Sequence, residues 1–265
     1  YLCSKKCAMP RYFIELAYKG TNFCGWQRQA KGASVQEEIE KALSVILRQP
    51  ITITGAGRTG TGVHARYMVA HFDTESNLDE IPNLAERLSG ILPFDIAIFS
   101  VTRVSDEAHS RFGAISRRYE YKIICRKDPF WNDLAAKVNF QPDVKAMNDA
   151  AAMLLTYEDF TSFCKLHGGN KTNICRVKKA EWKREGDLYT FTIEADRFLR
   201  NMVRAIVGTL LDVGRGKLTV NDFREIIEAR DRGRASTSAP ARGLYLVDVA
   251  YPPEVFQRKT EIIPY

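Results

Sequence analysis

The sequence contains no run approaching the roughly 20 consecutive apolar residues of a membrane-spanning helix, which argues against any helical membrane span. It has no Cys-x-x-Cys pair either. Its six cysteines, Cys3, Cys7, Cys24, Cys125, Cys164 and Cys175, are scattered, its four histidines are spread out, and no zinc spacing results. The expectation is therefore reduced, partly buried thiols in a cytoplasmic protein with no metal. The opening stretch, Tyr1-Leu-Cys-Ser-Lys-Lys-Cys-Ala-Met9, lacks the apolar segment of a signal peptide. Because Met9-Pro10-Arg11 reads as a natural start, residues 1–9 are taken as a leader or vector remnant and kept out of the fold argument. No glycine-rich or proline-rich linker divides the rest of the chain.

What is present is a chain of 265 residues, 45% hydrophobic, enough for one large core or two modest ones. The formal net charge is +7, which points to an acidic partner or to a solvated basic surface. Arg111, Arg117 and Arg118 cluster around Phe112 and Tyr119, and a second basic region runs through Arg224, Arg230, Arg232, Arg234 and Arg242. Arginines interleaved with aromatics suit phosphate contacts and base stacking. The plainer alternative is two charged loop or edge faces.

Hydrophobic periodicity divides the chain into two similar halves. In the first, Arg11–Tyr18 alternates as a strand, and Ser34-Val-Gln-Glu37 is a capping box opening a helix. The stripe Val35, Ile39, Leu43, Ile46 and Leu47 gives that helix one apolar face. Strands are predicted at Ile51–Thr54, Tyr67–Phe72 and Asp95–Val101, with a helix around Asn83–Leu92. The second half opens on a strand, Arg118–Ile124, with Tyr119, Tyr121 and Ile123 on one face, and Asp143 caps a helix reaching Leu155. Val177–Lys183 and Leu188–Ala195 form a hairpin joined by Glu185-Gly186-Asp187. A helix of about Leu199–Val213 is ended by Gly214, Thr219 starts another, and Leu244–Val249 is a last strand. The expectation is two α+β halves, each like a split βαβ unit, sharing an extended antiparallel sheet with helices on one side and a cleft between them.

The most informative segment is Gly55-Ala-Gly-Arg-Thr-Gly-Thr-Gly-Val-His-Ala65. Four glycines between two strands allow tight turns and close approach of a ligand. The Gly-Lys-Ser/Thr ending of a phosphate loop is missing, and a strand follows rather than a helix. By itself the segment is equally a tight connection. It resembles, however, the signature Gly-Arg-Thr-Asp-x-Gly-Val-His-Ala of the tRNA pseudouridine synthase A family. Tyr18-Lys-Gly-Thr-Asn-Phe-Cys-Gly-Trp-Gln-Arg-Gln29 is similar to that family's first-strand motif, with Ser34-Val-Gln-Glu37 at the expected place. His109-Ser-Arg-Phe112, Arg117-Arg-Tyr119, Asp159-Phe-Thr-Ser-Phe163, Met202-Val-Arg204 and Gly243-Leu-Tyr-Leu246 follow in family order and spacing. The resemblance covers nearly everything from Arg11 to Pro252.

The resemblance implies an α+β pseudouridine synthase fold with two ferredoxin-like halves around a central cleft. Residues 10–112 would carry the catalytic loop, residues 113–253 would complete the RNA cleft, and 254–265 would be a tail. It also implies a homodimer that isomerises uridine to pseudouridine in the anticodon stem-loop of tRNA, with no metal or organic cofactor. That reaction breaks the bond from ribose C1′ to N1 of the base, turns the base, and rejoins it through C5. Positive charge develops on the ribose, and a carboxylate meets that need by covalent attack or by removing a ribose proton. The family's carboxylate is the aspartate after Arg-Thr; here that position is Gly60.

Glycine can do none of this chemistry. Asp73 lies beyond the following strand, and Thr59 and Thr61 offer only hydroxyls. The chain as written is therefore expected to be inactive or nearly so. The intact surroundings favour an engineered or recent substitution. A noncatalytic tRNA-binding or folding protein on the same scaffold is the alternative. By position, Arg58 would hold a phosphate or help expel the base, and Tyr119 would stack on that base. Arg204 would lose its carboxylate partner and be left unpaired or free for phosphate, and Leu244 would pack at the base pocket or simply in the core. Arg28, Arg111, Arg117 and Arg118 are the expected RNA contacts. His64, His71 and His109 are read as structural or phosphate-adjacent.

Overall fold

The structure, a computed structural model, describes residues 9–165 and 171–256. The first half runs β1 (Arg11–Tyr18), α1 (Val35–Leu47), β2 (Thr54–Gly55), β3 (His64–Asp73), α2 (Leu84–Ile91) and β4 (Ile96–Val104). The second runs β5 (Ser116–Ile124), β6 (Ala136–Lys137), α3 (Val144–Met153), β7 (Val177–Glu185), β8 (Leu188–Ala195), α4 (Met202–Gly214), α5 (Val220–Ala229) and β9 (Leu244–Ala250). The predicted elements are all present, but several have different limits for identifiable reasons.

The Ser34 hydroxyl accepts from the Glu37 amide at 3.2 Å, as a helix cap should. The reciprocal half of the capping box is not made: the Glu37 carboxylate lies 3.3 Å from Lys41. Both halves occur instead at Thr219, which accepts from Asp222 N at 3.1 Å and donates its own amide to the Asp222 carboxylate at 2.7 Å. The strand predicted at Ile51–Thr54 shrinks to Thr54–Gly55 because α1 claims its backbone. Ile53 donates to Glu40 and accepts from Gln36, both at 3.0 Å, and Ile51 donates to Ser44 at 3.0 Å. Gly214 ends α4 as its last residue, but it is not a left-handed cap. A Cβ there would stand 2.6 Å from Met147 Sδ, so this glycine serves the close approach of α3 and α4. The left-handed turn residue is Gly216, at φ +72°.

The strands form one sheet in the order β4-β1-β3-β9-β5-β8-β7. The two halves share it, and the last strand of the chain sits between them. The sheet is mixed at that junction. β9 runs parallel to β3, paired only through His64 with Tyr245 and Ala65 with Leu246, and antiparallel to β5 from Tyr121–Leu244 to Ser116–Ala250. A parallel neighbour requires a long crossover; here the second half of the chain supplies it.

Two cores result. One gathers Phe13, Ile14 and Leu16 of β1, Ile39 and Leu43 of α1, Val69 of β3 and Leu88 of α2, with Leu246 and Val249 of β9. The other gathers Tyr121 and Ile123 of β5, Phe191 and Ile193 of β8, Ile206 of α4 and Phe223 of α5, with Val63 from the first half. Tyr119 packs against both, at the line where they meet. Among the described residues no helix is long and apolar enough to cross a membrane.

Candidate active site

Beyond their two paired residues β3 and β9 part, and the glycine-rich segment occupies the opening. Its conformation comes mainly from backbone contacts. Ala56 N–H donates to Val69 O at 2.8 Å, Trp26 N–H to Thr59 O at 3.2 Å, and Val63 N–H to Gly60 O at 3.1 Å. Gly25, at φ +96°, lets the preceding segment lie against this loop: a Cβ there would stand 2.6 Å from Thr59 O. Thr59 is buried, and its hydroxyl shares a 2.8 Å hydrogen bond with Tyr18 Oη.

Gly60 is exposed, and a Cβ added to it would meet no atom within 4 Å. Its φ is not in the left-handed region, unlike that of Gly62 at +74°. Neither space nor backbone strain requires glycine at position 60. Arg58, two residues earlier, is exposed and makes no hydrogen bond or ion pair among the described residues.

Half-buried Tyr119, packed where the two cores meet, meets the ring of Phe198 edge-on at 5.1 Å. Burial pushes its phenol up to about 12, with Arg117 pulling the other way. Tyr119 also lies close enough to Tyr18 to oppose the ionisation of that buried phenol. Tyr18 is thus bonded to Thr59 of the loop and lies near Tyr119. Nothing in the sequence singled Tyr18 out beyond its place at the head of a motif.

Arg204 stands in the first turn of α4, half-buried. Its Nε donates to Ala239 O at 2.6 Å, while Ala239 N–H donates back to Arg204 O at 2.9 Å. No carboxylate pairs with it among the described residues. Burial lowers its basicity and Tyr121 partly restores it. The segment Ala239–Gly243 joins Arg204 to the glycine loop: Tyr121 Oη donates to Pro240 O at 2.7 Å, and a Cβ on Gly62 would touch Ala241 Cβ at 3.4 Å. Leu244, which follows, is buried in the second core and pairs with Tyr121 in the sheet.

His64 fastens the same corner. Its Nδ1 accepts from Gly20 N–H at 3.0 Å, which leaves the proton on Nε2, 3.1 Å from the carbonyls of both Asp133 and Arg242. Burial lowers its pKa and keeps it neutral. His71 is likewise buried, its Nδ1 accepting from Ser110 N–H at 3.2 Å.

The four arginines expected to meet RNA have different surroundings. Arg28 and Arg111 are exposed, Arg28 standing 3.9 and 4.0 Å from Glu40 and Glu37. Arg118 is paired with Asp248 and lies 4.0 Å from Glu194. Arg117 donates to four carbonyls: Asp196 at 2.9 Å, Ala114 and Ala56 at 3.1 Å, and Arg111 at 2.5 Å. Among the described residues no group of three or more His, Cys, Asp or Glu could hold a metal ion.

The glycine loop and Arg204 therefore meet through Gly62 and the segment Ala239–Gly243, Tyr18 bonds Thr59 of the loop, and Arg58 lies on that same loop. The sequence profile of the family described as tRNA pseudouridine synthase matches residues 16–113 and 150–252. A tRNA pseudouridine synthase A of Parabacteroides distasonis is 54% identical over 248 residues, covering 94% of this chain and 98% of its own length. One from Bacteroides thetaiotaomicron is 54% identical over 256 residues, covering 96% and 95%. One from Francisella tularensis subsp. tularensis is 39% identical over 254 residues, covering 95% and 98%. On these matches the chain belongs to the tRNA pseudouridine synthase family.

Proposed function

We propose that this chain is a tRNA uridine-to-pseudouridine isomerase, acting on the anticodon stem-loop, whose reacting carboxylate is missing, so that it is inactive or nearly so as written. The observation that carries this is Gly60. It lies on a loop bonded to Tyr18, Trp26 and Val69, with open space where a side chain would project and a backbone that accepts one.

The reaction needs no outside reagent. The C1′–N1 electron pair leaves with the base, a C1′–C5 bond forms, the C5 proton is lost, and N1 gains one. The carboxylate's part is to attack C1′ or to take a proton from the ribose. Arg204, partly desolvated and without a carboxylate partner, and exposed Arg58 remain to hold phosphate or the flipped nucleotide. Tyr119, its hydroxyl kept neutral, offers a ring for the base. Arg117 is read as a brace, because its guanidinium is already committed to four carbonyls. The homodimer and the cytoplasmic location suggested by the resemblance belong to this proposal as well.

The second reading, a noncatalytic tRNA-binding protein, is favoured by exposed Arg28, Arg58 and Arg111, which need no carboxylate in order to bind RNA. Restoring the acid separates the two. Gly60→Asp is expected to release tritium from a tRNA transcript labelled at uridine C5, while the chain itself releases little or none. A folded Gly60→Asp protein that binds tRNA but releases no tritium would establish the noncatalytic reading.

A further inference from the structure

Phe112 exposes 77% of its surface, yet the loop that presents it is firmly held. His109 Nδ1 accepts from the amides of Arg111 and Phe112 at 3.1 and 3.3 Å, and Gly113 N–H donates to His109 O at 2.8 Å. A Cβ on Gly113 would stand 2.9 Å from that carbonyl, so the turn needs its glycine. The His109 ring lies 4.4 Å from the Phe112 ring on one side and 4.6 Å from His71 on the other. Arg117 Nη2 donates both to Arg111 O and to Ala56 O. One guanidinium thereby clamps this loop to the loop that carries Gly60, four residues beyond Ala56.

Ordering a loop and desolvating a guanidinium both cost free energy. Here the cost yields no burial for the ring it positions. Holding an apolar ring in water at a fixed place makes physical sense when a ligand covers it. The guanidinium of Arg111, 5.7 Å from the ring centre, gives the ring a cationic neighbour suited to an electron-rich, anionic polymer.

We infer that Phe112, with Arg111 beside it, is a stacking platform for an unpaired nucleobase of the RNA held in the cleft. This rests on the tRNA reading above. A planar base covers the exposed ring and the adjacent phosphate meets Arg111, while Arg117 fixes the platform relative to Gly60 without touching the RNA. The charge of +7 favours RNA over a protein surface as the occupant.

The test is a titration of a tRNA transcript, labelled with a fluorophore at its 3′ end, against the full chain at several salt concentrations. Phe112→Ala should weaken binding roughly 5- to 100-fold with an unchanged salt slope, whereas Arg111→Ala should lower that slope by about one ion. A side chain so exposed can be removed without unfolding the protein, and a urea midpoint checks this. Phe112→Trp should retain affinity, and its added emission should be quenched at saturating tRNA. Phe112→Ala binding within twofold of the parent, or Phe112→Trp emission unmoved by tRNA, overturns the platform and leaves the tRNA reading intact. A change in sedimentation without a change in tRNA affinity overturns it in favour of a protein contact. Failure of the parent chain to bind tRNA overturns both.

Discussion

The loop from Ala56 to Val63 and the loop from His109 to Gly113 are both bonded by Arg117, but they are held mainly by different kinds of bond. The first is held mostly by main-chain contacts to Phe23, Trp26 and Val69, with two side-chain bonds, one shared by Tyr18 and Thr59 and one from Arg117 to the Ala56 carbonyl. The second is held by side chains: His71 on Ser110, His109 on Arg111 and Phe112, and Arg117 on the Arg111 carbonyl. A loop shaped by its backbone keeps its form whatever side chain projects from it. A loop shaped by side chains changes when one of them is removed or protonated. Chemistry can thus be added or deleted at Gly60 with little effect on the fold, whereas the second loop carries part of the fold's stability.

The largest expected effect lies at position 60. A positioned acid or base contributes about 10²–10⁴-fold to a rate, so Gly60→Asp should raise tritium release roughly 10³-fold over the parent. Gly60→Asn fits the same open space and should raise it hardly at all. An equal gain from asparagine would show that the missing group is not a carboxylate. Arg117→Ala comes next. It removes a half-buried cation from four carbonyl acceptors and should cost about 3 kcal/mol in a urea melt. Exposed Arg111→Ala should cost no more than about 0.5 kcal/mol. Similar losses for the two variants would erase the distinction between brace and surface.

That distinction was not legible in the sequence, and the reason is physical. Arg111, Arg117 and Arg118 sit within a few positions of one another, and composition treats them alike. Only the tertiary structure brings the carbonyls of Ala56 and Asp196 to Arg117 and the carboxylate of Asp248 to Arg118. Features governed by neighbours along the chain were readable: the caps Ser34, Asp143 and Thr219, and the hairpin at Gly186. The family itself was readable, because its motifs are contiguous. Features governed by distant partners were not. Side chains of α1 cut β2 short. Met147 determines why residue 214 is glycine. The last strand enters parallel to β3 because of where the second half returns it.

The side-chain-held loop should also respond to acid. Burial, with Arg11 and His109 adding repulsion and Asp73 opposing, pushes His71 down to about 4 from its ordinary 6.5. Above 6.5 the imidazole is neutral in folded and unfolded chains alike, and its contribution is fully present. Between 6.5 and about 4 the unfolded chain takes up a proton that the folded one resists, so stability falls as the pH falls. The loss should be on the order of 2 kcal/mol across this window. Urea midpoints at pH 7.5 and 4.5 measure it. His71→Asn, whose side-chain carbonyl can still accept from Ser110, should flatten the dependence. An unchanged pH slope in that variant would place the acid sensitivity elsewhere.

The smallest effect tests the backbone-held loop most directly. Glycine restricts the unfolded chain less than any other residue, so alanine at a site whose native φ and surroundings accept it stabilises by about 0.4–1 kcal/mol. Gly60 meets both conditions: its φ lies outside the left-handed region, and an added methyl touches nothing within 4 Å. Gly60→Ala should therefore raise the urea midpoint slightly without producing activity. Gly62→Ala should lower it, since φ is +74° there and Ala241 stands 3.4 Å from the new methyl. If Gly60→Ala destabilises, this position depends on glycine for its conformation. The loop would then be built around having no side chain, and the case for an absent carboxylate would lose its steric support.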